Sequence, residues 1–485
     1  MVVMARLSDH QTQGGRVIDW TPTQATLDAM AVSPATGVNP SMMQAAHLDL
    51  AKSKSREGYT DSSWLCVAFE LPGPFDVDAW TRTIDFWLGR HGGMRNWFTA
   101  DGDSEDTPLV RHELTPEQIA FEPTFLPDEV TAEGMLDHVR HLMDIWAVPL
   151  GRLGYTFTAV VGDEKTVVYF GADHSYTDGV SCLFTMWELT TIYDCQRAGT
   201  TPDLPEVGSY PDYCIEERER ADSFDISSEG VQDWLYFLLR GGGQLPSFPL
   251  DLGMTPGVKV PLVPVYQELL GKDQIHDYEA AVKDMEGTYA GGLYAACAMA
   301  AHEMAAADSY RCLNPVHSRW SPEWMLAMGW FINLVPLHVD IEPGDTFASL
   351  VRRTRQEFRD TKAAGEVPTM RVVELLSEYL DFDSDSSDRP PIISYLDGAM
   401  IPGNEMWLER NFWGLTGAGD DDDVYVWMMR MPTSTYVTCS CPDTPQAVHA
   451  VTSYFARVAE IVQEVARTGG DVAMGPAAVL QPPAS

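Results

Sequence analysis

The 485-residue chain carries 71 Asp and Glu against 32 Lys and Arg, a formal net charge of −39. A field of that sign repels nucleic acid and anionic membrane, and an acidic partner would need a local basic patch to dock. Hydrophobic residues at 45% and charged residues at 21% provide for buried cores and exclude general disorder.

The length exceeds one ordinary core, so two domains of similar size are expected. The eight cysteines (Cys66, Cys182, Cys195, Cys214, Cys297, Cys312, Cys439 and Cys441) show no paired CxxC spacing and no histidine cluster behind them, so no metal site is expected. The residues through Arg16 contain no apolar segment of the signal type, and no uninterrupted apolar stretch of about 18 residues occurs that would span a bilayer. The expected location is cytoplasmic, with reduced thiols.

In chain order, the apolar, β-branched and aromatic run from Ser63 to Leu71 predicts a strand ended by Pro72-Gly73-Pro74. Val77 to Leu88 has helical spacing, and Gly92-Gly93 closes it before a second strand, Met94 to Phe98. Thr166 to Ala172 is a continuous apolar run suited to a central strand covered on both faces, followed by a histidine loop and then by Val180, Leu183, Phe184, Trp187, Thr190 and Tyr193 at helical spacing. Residues 198–208 and 240–264, rich in Gly and Pro, predict a crossover, which divides the chain into a lobe at 1–205, a linker at 206–264 and a second lobe at 265–470.

The second half has the same character. A helix is expected over Gly291 to Ala307, strands over Arg311 to Val316 and Phe331 to Ile341, and a helix over Phe347 to Ala363. An acidic loop, Asp381 to Asp388, reads as a solvated insertion. Strands over Tyr425 to Met431 and Tyr436 to Ser440 precede a helix from Pro445 to Ala466, and residues 471–485 are expected to be disordered. Strands mixed with helices in two halves make the fold class α/β (α+β).

One short stretch joins a titratable base to a tight turn directly after a buried strand: Asp173-His174-Ser175-Tyr176-Thr177-Asp178-Gly179. An imidazole titrates near neutrality, so it can take a proton from an alcohol or amine as a bond forms, a service worth roughly 10²–10⁴ in rate. Asp178 can hold the loop, and Gly179 admits a turn that other residues resist. On spacing alone, His-x-x-x-Asp-Gly also fits an ordinary surface turn. The 14 Trp lie mostly within apolar segments without interleaved Lys or Arg, so they read as core or lining rather than as a nucleic-acid face. No Gly-rich phosphate loop or GxSxG elbow occurs in a suitable context.

The loop resembles the HHxxxDG hallmark of the condensation-domain superfamily, which includes chloramphenicol acetyltransferase (CAT), nonribosomal peptide condensation domains and polyketide-associated acyltransferases. Its second histidine is retained as His174, and its first is replaced by Asp173. Further segments match in order. Arg90-His91-Gly-Gly-Met94-Arg95-Asn-Trp-Phe98 resembles RHExLRTxF, and Tyr210-Pro-Asp212-Tyr213 with Glu216-Glu217-Arg218 resembles YxDYAxWQRE. Trp234 to Gly253 resembles WxxxLxGxPxLxLPxD, and Pro315-Val-His-Ser318-Arg319 with Met328-Gly-Trp-Phe-Ile-Asn333-Leu-Val-Pro336-Leu resembles PVxGR and GxFxNTLPL. The Gly-Trp-Phe form and Ser394-Tyr-Leu-Asp397 lean toward polyketide-associated acyltransferases and free-standing condensation enzymes.

The resemblance implies two CAT-like lobes in a V-shaped pseudo-dimer, with a tunnel in which donor and acceptor meet. His174 would be the general base, and Asp178 would pair with Arg319, or failing that Arg311, to shape the loop. Asn333 and the Gly179 N–H would face the reacting centre as oxyanion donors, and Tyr176, Trp330 and Ser394 would line the tunnel. Asp173 either raises the basicity of His174 or turns away to bind backbone. The implied activity is transfer of an acyl or aminoacyl group from a phosphopantetheine thioester to a hydroxyl or amine, with no metal and no bound cofactor. The donor would arrive on an acyl- or peptidyl-carrier protein in trans, as in secondary-metabolite or lipid biosynthesis, or else on coenzyme A. A catalytically silent scaffold that binds carrier proteins is the reading of a different class.

Overall fold

A computed structural model describes residues 3–56, 63–100, 107–377, 379 and 392–480. The acidic stretch 381–388 lies outside the described residues. By contact the chain separates into two units: residues 1–220, 317–332 and 400–418 form the first, and residues 221–316, 333–399 and 419–485 form the second. The division is therefore not the simple succession of lobes expected from the sequence. Segments from the second half return to the first unit because its sheet requires one of them as an interior strand.

That sheet has seven strands, in the order Val3–Arg6, Trp413–Thr416, Trp64–Pro72, Lys165–Asp173, Tyr155–Val161, Arg16–Pro22 and Phe121–Phe125. The apolar run predicted as a central strand is Lys165–Asp173, antiparallel to both of its neighbours and buried along nearly its whole length. Alternation sorts its side chains. Val167 and Tyr169, with Cys66 and Ala68 beside them, face Met135, Val139 and Met143 of the Ala132–Trp146 helix. Phe170 points the other way, 5.1 Å from the Trp87 ring on the Val77–Arg90 helix, which packs along the Gly179–Ala198 helix. With helices on both faces, the strand has no wet side and so reads as continuously apolar.

Helix ends follow local chemistry. Asp76 caps the Val77–Arg90 helix on the Ala79 N–H, and Asp178 caps the Gly179–Ala198 helix on the Ser181 N–H. The latter ends at Gly199, whose φ of 68° lies in the left-handed region that side chains disfavour. The predicted strand from Met94 to Phe98 begins instead with a 3-10 turn, Gly92–Arg95, and the strand itself is Asn96–Thr99.

The second unit has a five-stranded sheet in the order Ile393–Asp397, Tyr425–Arg430, Ser434–Pro442, Val260–Gly271 and Asp420–Asp421. Its core is closed by the Tyr289–Ala305 and Pro445–Thr468 helices. The first of these is Ala-rich and buried from Gly291 through Ala301 on every side, as expected of a helix with no polar face.

Residues 206–264, expected as a crossover, carry regular structure. They hold the helices Tyr210–Asp222 and Glu229–Arg240, the second with Val231, Trp234, Phe237 and Leu238 buried. The stretch 471–480 is structured as well. Ala473 and Val479 bridge to Thr346 and Ala305, and Leu480 donates its N–H to Met304 at 2.8 Å. Among the described residues no helix is long and apolar enough to cross a membrane, and no group of His, Cys, Asp and Glu could hold a metal ion.

Candidate active site

The buried Lys165–Asp173 strand ends at Asp173, and the chain then makes one 3-10 turn, His174–Tyr176, before entering the Gly179–Ala198 helix. A carboxylate stands at each end of this turn, Asp173 and Asp178, and both are 0% exposed. Buried carboxylates are tolerated only when they are richly paired, so their partners define the site.

Asp178 receives Arg319 in a two-pronged bond, Nη1 to Oδ2 at 2.7 Å and Nη2 to Oδ1 at 3.0 Å. The Ser181 and Phe331 N–H groups donate to it at 2.7 and 3.0 Å. Arg319 also donates to Ser181 Oγ at 2.9 Å and lies 4.4 Å over the Phe331 ring. Burial alone would raise the Asp178 carboxyl, but the guanidinium and these donors hold it below its ordinary range. Arg319 comes from residues 317–332, so this bond ties the returning segment to the start of the helix within the first unit. Arg311 belongs to the second unit and bonds the Phe237 and Gln244 carbonyls at 3.3 and 3.0 Å.

Asp173 does not aim at His174. It caps the turn on the Ser175 N–H at 2.9 Å, accepts the hydroxyls of Ser63 and Ser175, and faces His47 Nε2, which lies 3.1 and 3.2 Å from its two oxygens. Burial opposes its ionisation, yet the His47 charge and these hydrogen bonds bring the carboxyl below its ordinary value. His47 sits on the Met42–Arg56 helix, one turn from Gln44, whose amide donates to the Ser175 carbonyl at 2.7 Å.

His174 is held by its N–H on the Ser63 carbonyl at 3.0 Å and by its ring, 4.2 Å from Trp330 at an interplanar angle of 30°. Its Nδ1 is buried with no partner in another residue. Nε2 is not among the buried unpartnered atoms and has no hydrogen bond to another of the described residues. Burial is the main reason that the ring's pKa falls to about 4, assisted by the His47 charge and opposed by its own carbonyl, Asp173 and Asp178. At neutral pH the ring is therefore uncharged, the form that accepts a proton.

The other expected site residues are placed differently. Tyr176 is buried, with its hydroxyl 3.4 Å from the Arg152 carbonyl and its ring against Tyr155 and Gly154, so it is core and not lining. A Cβ on Gly154 would lie 2.4 Å from that ring and 2.6 Å from the Val148 carbonyl. Gly154→Ala is accordingly expected to cost roughly 1–3 kcal/mol through overpacking, read as a fall in melting temperature with a matching loss of ordered His174 loop.

Asn333 is not an open amide. Its Nδ2 donates to the Gly365 and Val367 carbonyls at 2.9 and 2.8 Å, and its Oδ1 accepts the Thr369 N–H and hydroxyl at 2.8 and 2.6 Å. Both ends of the amide are used in the second unit to hold residues 365–369, which leaves nothing for an oxyanion. Asn333→Ala should cost about 1–3 kcal/mol for the stranded backbone groups, measured by denaturant titration, with kcat within a few-fold of wild type.

Ser394 also belongs to the second unit, buried on an edge strand opposite Trp427. Gly179 opens its helix without entering the left-handed region, so what sets it apart is its first-turn N–H and not an unusual φ. Trp330, expected as lining, is the ring that packs on His174.

His47 and Gln44 were not legible as site residues. Their helix buries Gln44, His47 and Lys52 beside Met42 and Leu48, so polar side chains interrupt the apolar stripe by which a packed helix is normally read. The remaining signal is that polar side chains on the buried face of a helix require partners.

Residues 53–385 match the profile of the Condensation domain family. The chain is 27% identical over 477 residues to Acyltransferase PapA3 of Mycobacterium tuberculosis, covering 96% of this chain and 98% of that relative. It is 26% identical over 471 residues to Trehalose-2-sulfate acyltransferase PapA2 of Mycobacterium bovis, covering 95% and 97%. Among solved structures, a PapA2 acyl transferase superposes with a TM-score of 0.85 at 25% identity over 96% of this chain and 99% of that one. The first condensation domain of the calcium-dependent antibiotic synthetase shares the fold at a TM-score of 0.66 and 17% identity, over 91% and 99%.

Proposed function

This chain belongs to the condensation-domain family and is an acyltransferase, and from that premise we propose that it moves an acyl group from a phosphopantetheine thioester to a hydroxyl, with His174 as general base. The observation that carries the reading is the His174 ring, its pKa lowered by burial and its Nε2 without a partner among the described residues, fixed against Trp330 on a turn anchored by two buried carboxylates. In the proposed step, Nε2 takes the hydroxyl proton as the oxygen attacks the thioester carbonyl. The tetrahedral adduct then expels sulfur, and the imidazolium returns the proton to it, giving an ester and a free thiol. The first-turn N–H of Gly179 is the candidate donor to the oxyanion, since the amide of Asn333 is already used.

A sugar hydroxyl is the acceptor class best supported, because a relative matched over 95% of this chain is named for trehalose-2-sulfate. A carrier protein in trans and coenzyme A present the same pantetheine arm, and the carrier protein is the proposed donor. The Arg319–Asp178 bond favours the enzyme over a silent scaffold, which has no need of an ordered base.

The test is mass spectrometry of the purified protein incubated with palmitoyl carrier protein or palmitoyl-coenzyme A, together with trehalose, trehalose-2-sulfate or amine acceptors. Ester formed faster from the carrier donor on a trehalose hydroxyl supports the reading. Amide product, or preference for coenzyme A, replaces acceptor or donor. Carrier binding without turnover favours the scaffold.

A further inference from the structure

The family motif resembled by this loop has an imidazole where this chain has Asp173. In the fold an imidazole arrives there from elsewhere: His47, on the Met42–Arg56 helix, covers both oxygens of Asp173 and lies 5.3 Å from the Trp330 ring that packs on His174. The same helix face grips the loop a second time through Gln44 on the Ser175 carbonyl. We propose that His47 is a positioning residue: paired with Asp173, it fixes the loop and keeps His174 in its proton-accepting form. The inference rests on the reading of His174 as base and adds what maintains it.

A bare buried carboxylate one residue from His174 would favour the imidazolium and disable the base at neutral pH. The hydroxyls of Ser63 and Ser175 bond one oxygen of Asp173 each, whereas the His47 ring covers both oxygens from a separate helix. Around this pair, the titratable groups on the described packed elements include His174 from the loop, Glu217 from the Tyr210–Asp222 helix, which accepts the Met42 N–H at 2.7 Å, and Arg111, which donates to Gln44 at 3.2 Å. Asp173 is the group that His47 meets directly, so the pair is the local control on His174.

The test reads the proton state of His174 without any substrate. Diethyl pyrocarbonate modifies only the neutral ring, and peptide mapping gives its rate at His174 against pH for wild type, His47→Ala, His47→Gln, and His47→Gln with Asp173→Asn. Wild type should react nearly as fast at pH 5.5 as at 7.5. Both single variants should slow at least about twofold at pH 5.5 relative to 7.5, as the midpoint rises part of the way toward the ordinary imidazole value while burial still opposes the charge. The double variant, lacking the uncompensated carboxylate, should regain the wild-type profile.

A purely structural role would lower melting temperatures and leave all profiles superimposed, which overturns the proposal. Should His47→Ala fail to fold, His47→Gln and the double variant carry the same comparison. Full turnover in His174→Ala would defeat the base reading whatever the modification profiles show, so the two failures are distinguishable.

Discussion

His174→Ala is expected to lower kcat by roughly 10²–10⁴ with little change in KM, because in the proposed step the ring takes the proton and contributes little to holding the ground state. Its neighbours make the expectation sharper. In wild type the acid limb of kcat/KM should lie well below the ordinary imidazole range, since burial brings the ring to about pKa 4. The ring is half-buried with Nε2 open, so solvent moderates that shift without reversing it.

The sign follows for stability as well. The unfolded ring takes up a proton near pH 6.5 and the folded ring resists until about 4, so the stability this group confers is present above 6.5 and is lost as pH falls through that window. Rates and melting temperatures measured from pH 4 to 8 on both proteins check the two statements together. A variant with rates within about threefold of wild type would place the base elsewhere.

Arg319→Ala should destabilise the protein by roughly 3–5 kcal/mol, since it strands a carboxylate in a place without water. Asp178 would keep the Ser181 and Phe331 N–H groups but lose its only side-chain cation among the described residues. Arg319→Lys should recover only part, because an ammonium cannot reproduce the two-pronged contact or the stack on Phe331. Arg319→Met with Asp178→Asn should be more stable than Arg319→Ala, as the charge and its counter-charge leave together. Chemical denaturation of the four proteins decides this, and a loss below about 1 kcal/mol for Arg319→Ala would mean that the pair behaves as a surface salt bridge.

The elements most legible in the sequence were those with strong patterns. The apolar run at 166–172, the Ala-rich helix and the terminal amphipathic helix were found with boundaries close to those of the fold. His174 was singled out because its motif is contiguous, and Arg319 as the partner of Asp178 because a second motif supplied it. What escaped depends on contacts between distant residues. Nothing near position 47 announces Asp173 as a partner 126 residues away, and Asn333, placed by a motif, turned out to be occupied by a loop over thirty residues further on. Periodicity also failed where polar side chains are buried, as on the Met42–Arg56 helix, and where Gly and Pro flank real helices, as across 206–264.

The first unit's assembly from three separated stretches has a consequence for synthesis. When residue 220 leaves the ribosome, the sheet still lacks Trp413–Thr416, the strand that fills the gap between Val3–Arg6 and Trp64–Pro72. At roughly 5–20 residues per second the missing strand follows on the order of ten to forty seconds later. Throughout that interval Trp64–Pro72 presents an open edge to any passing chain, and Asp178 waits for Arg319. A nascent chain of this kind is a natural client for chaperones that shield unpaired strands, and a gene fragment cut at residue 220 would encode a protein held permanently in that unfinished state.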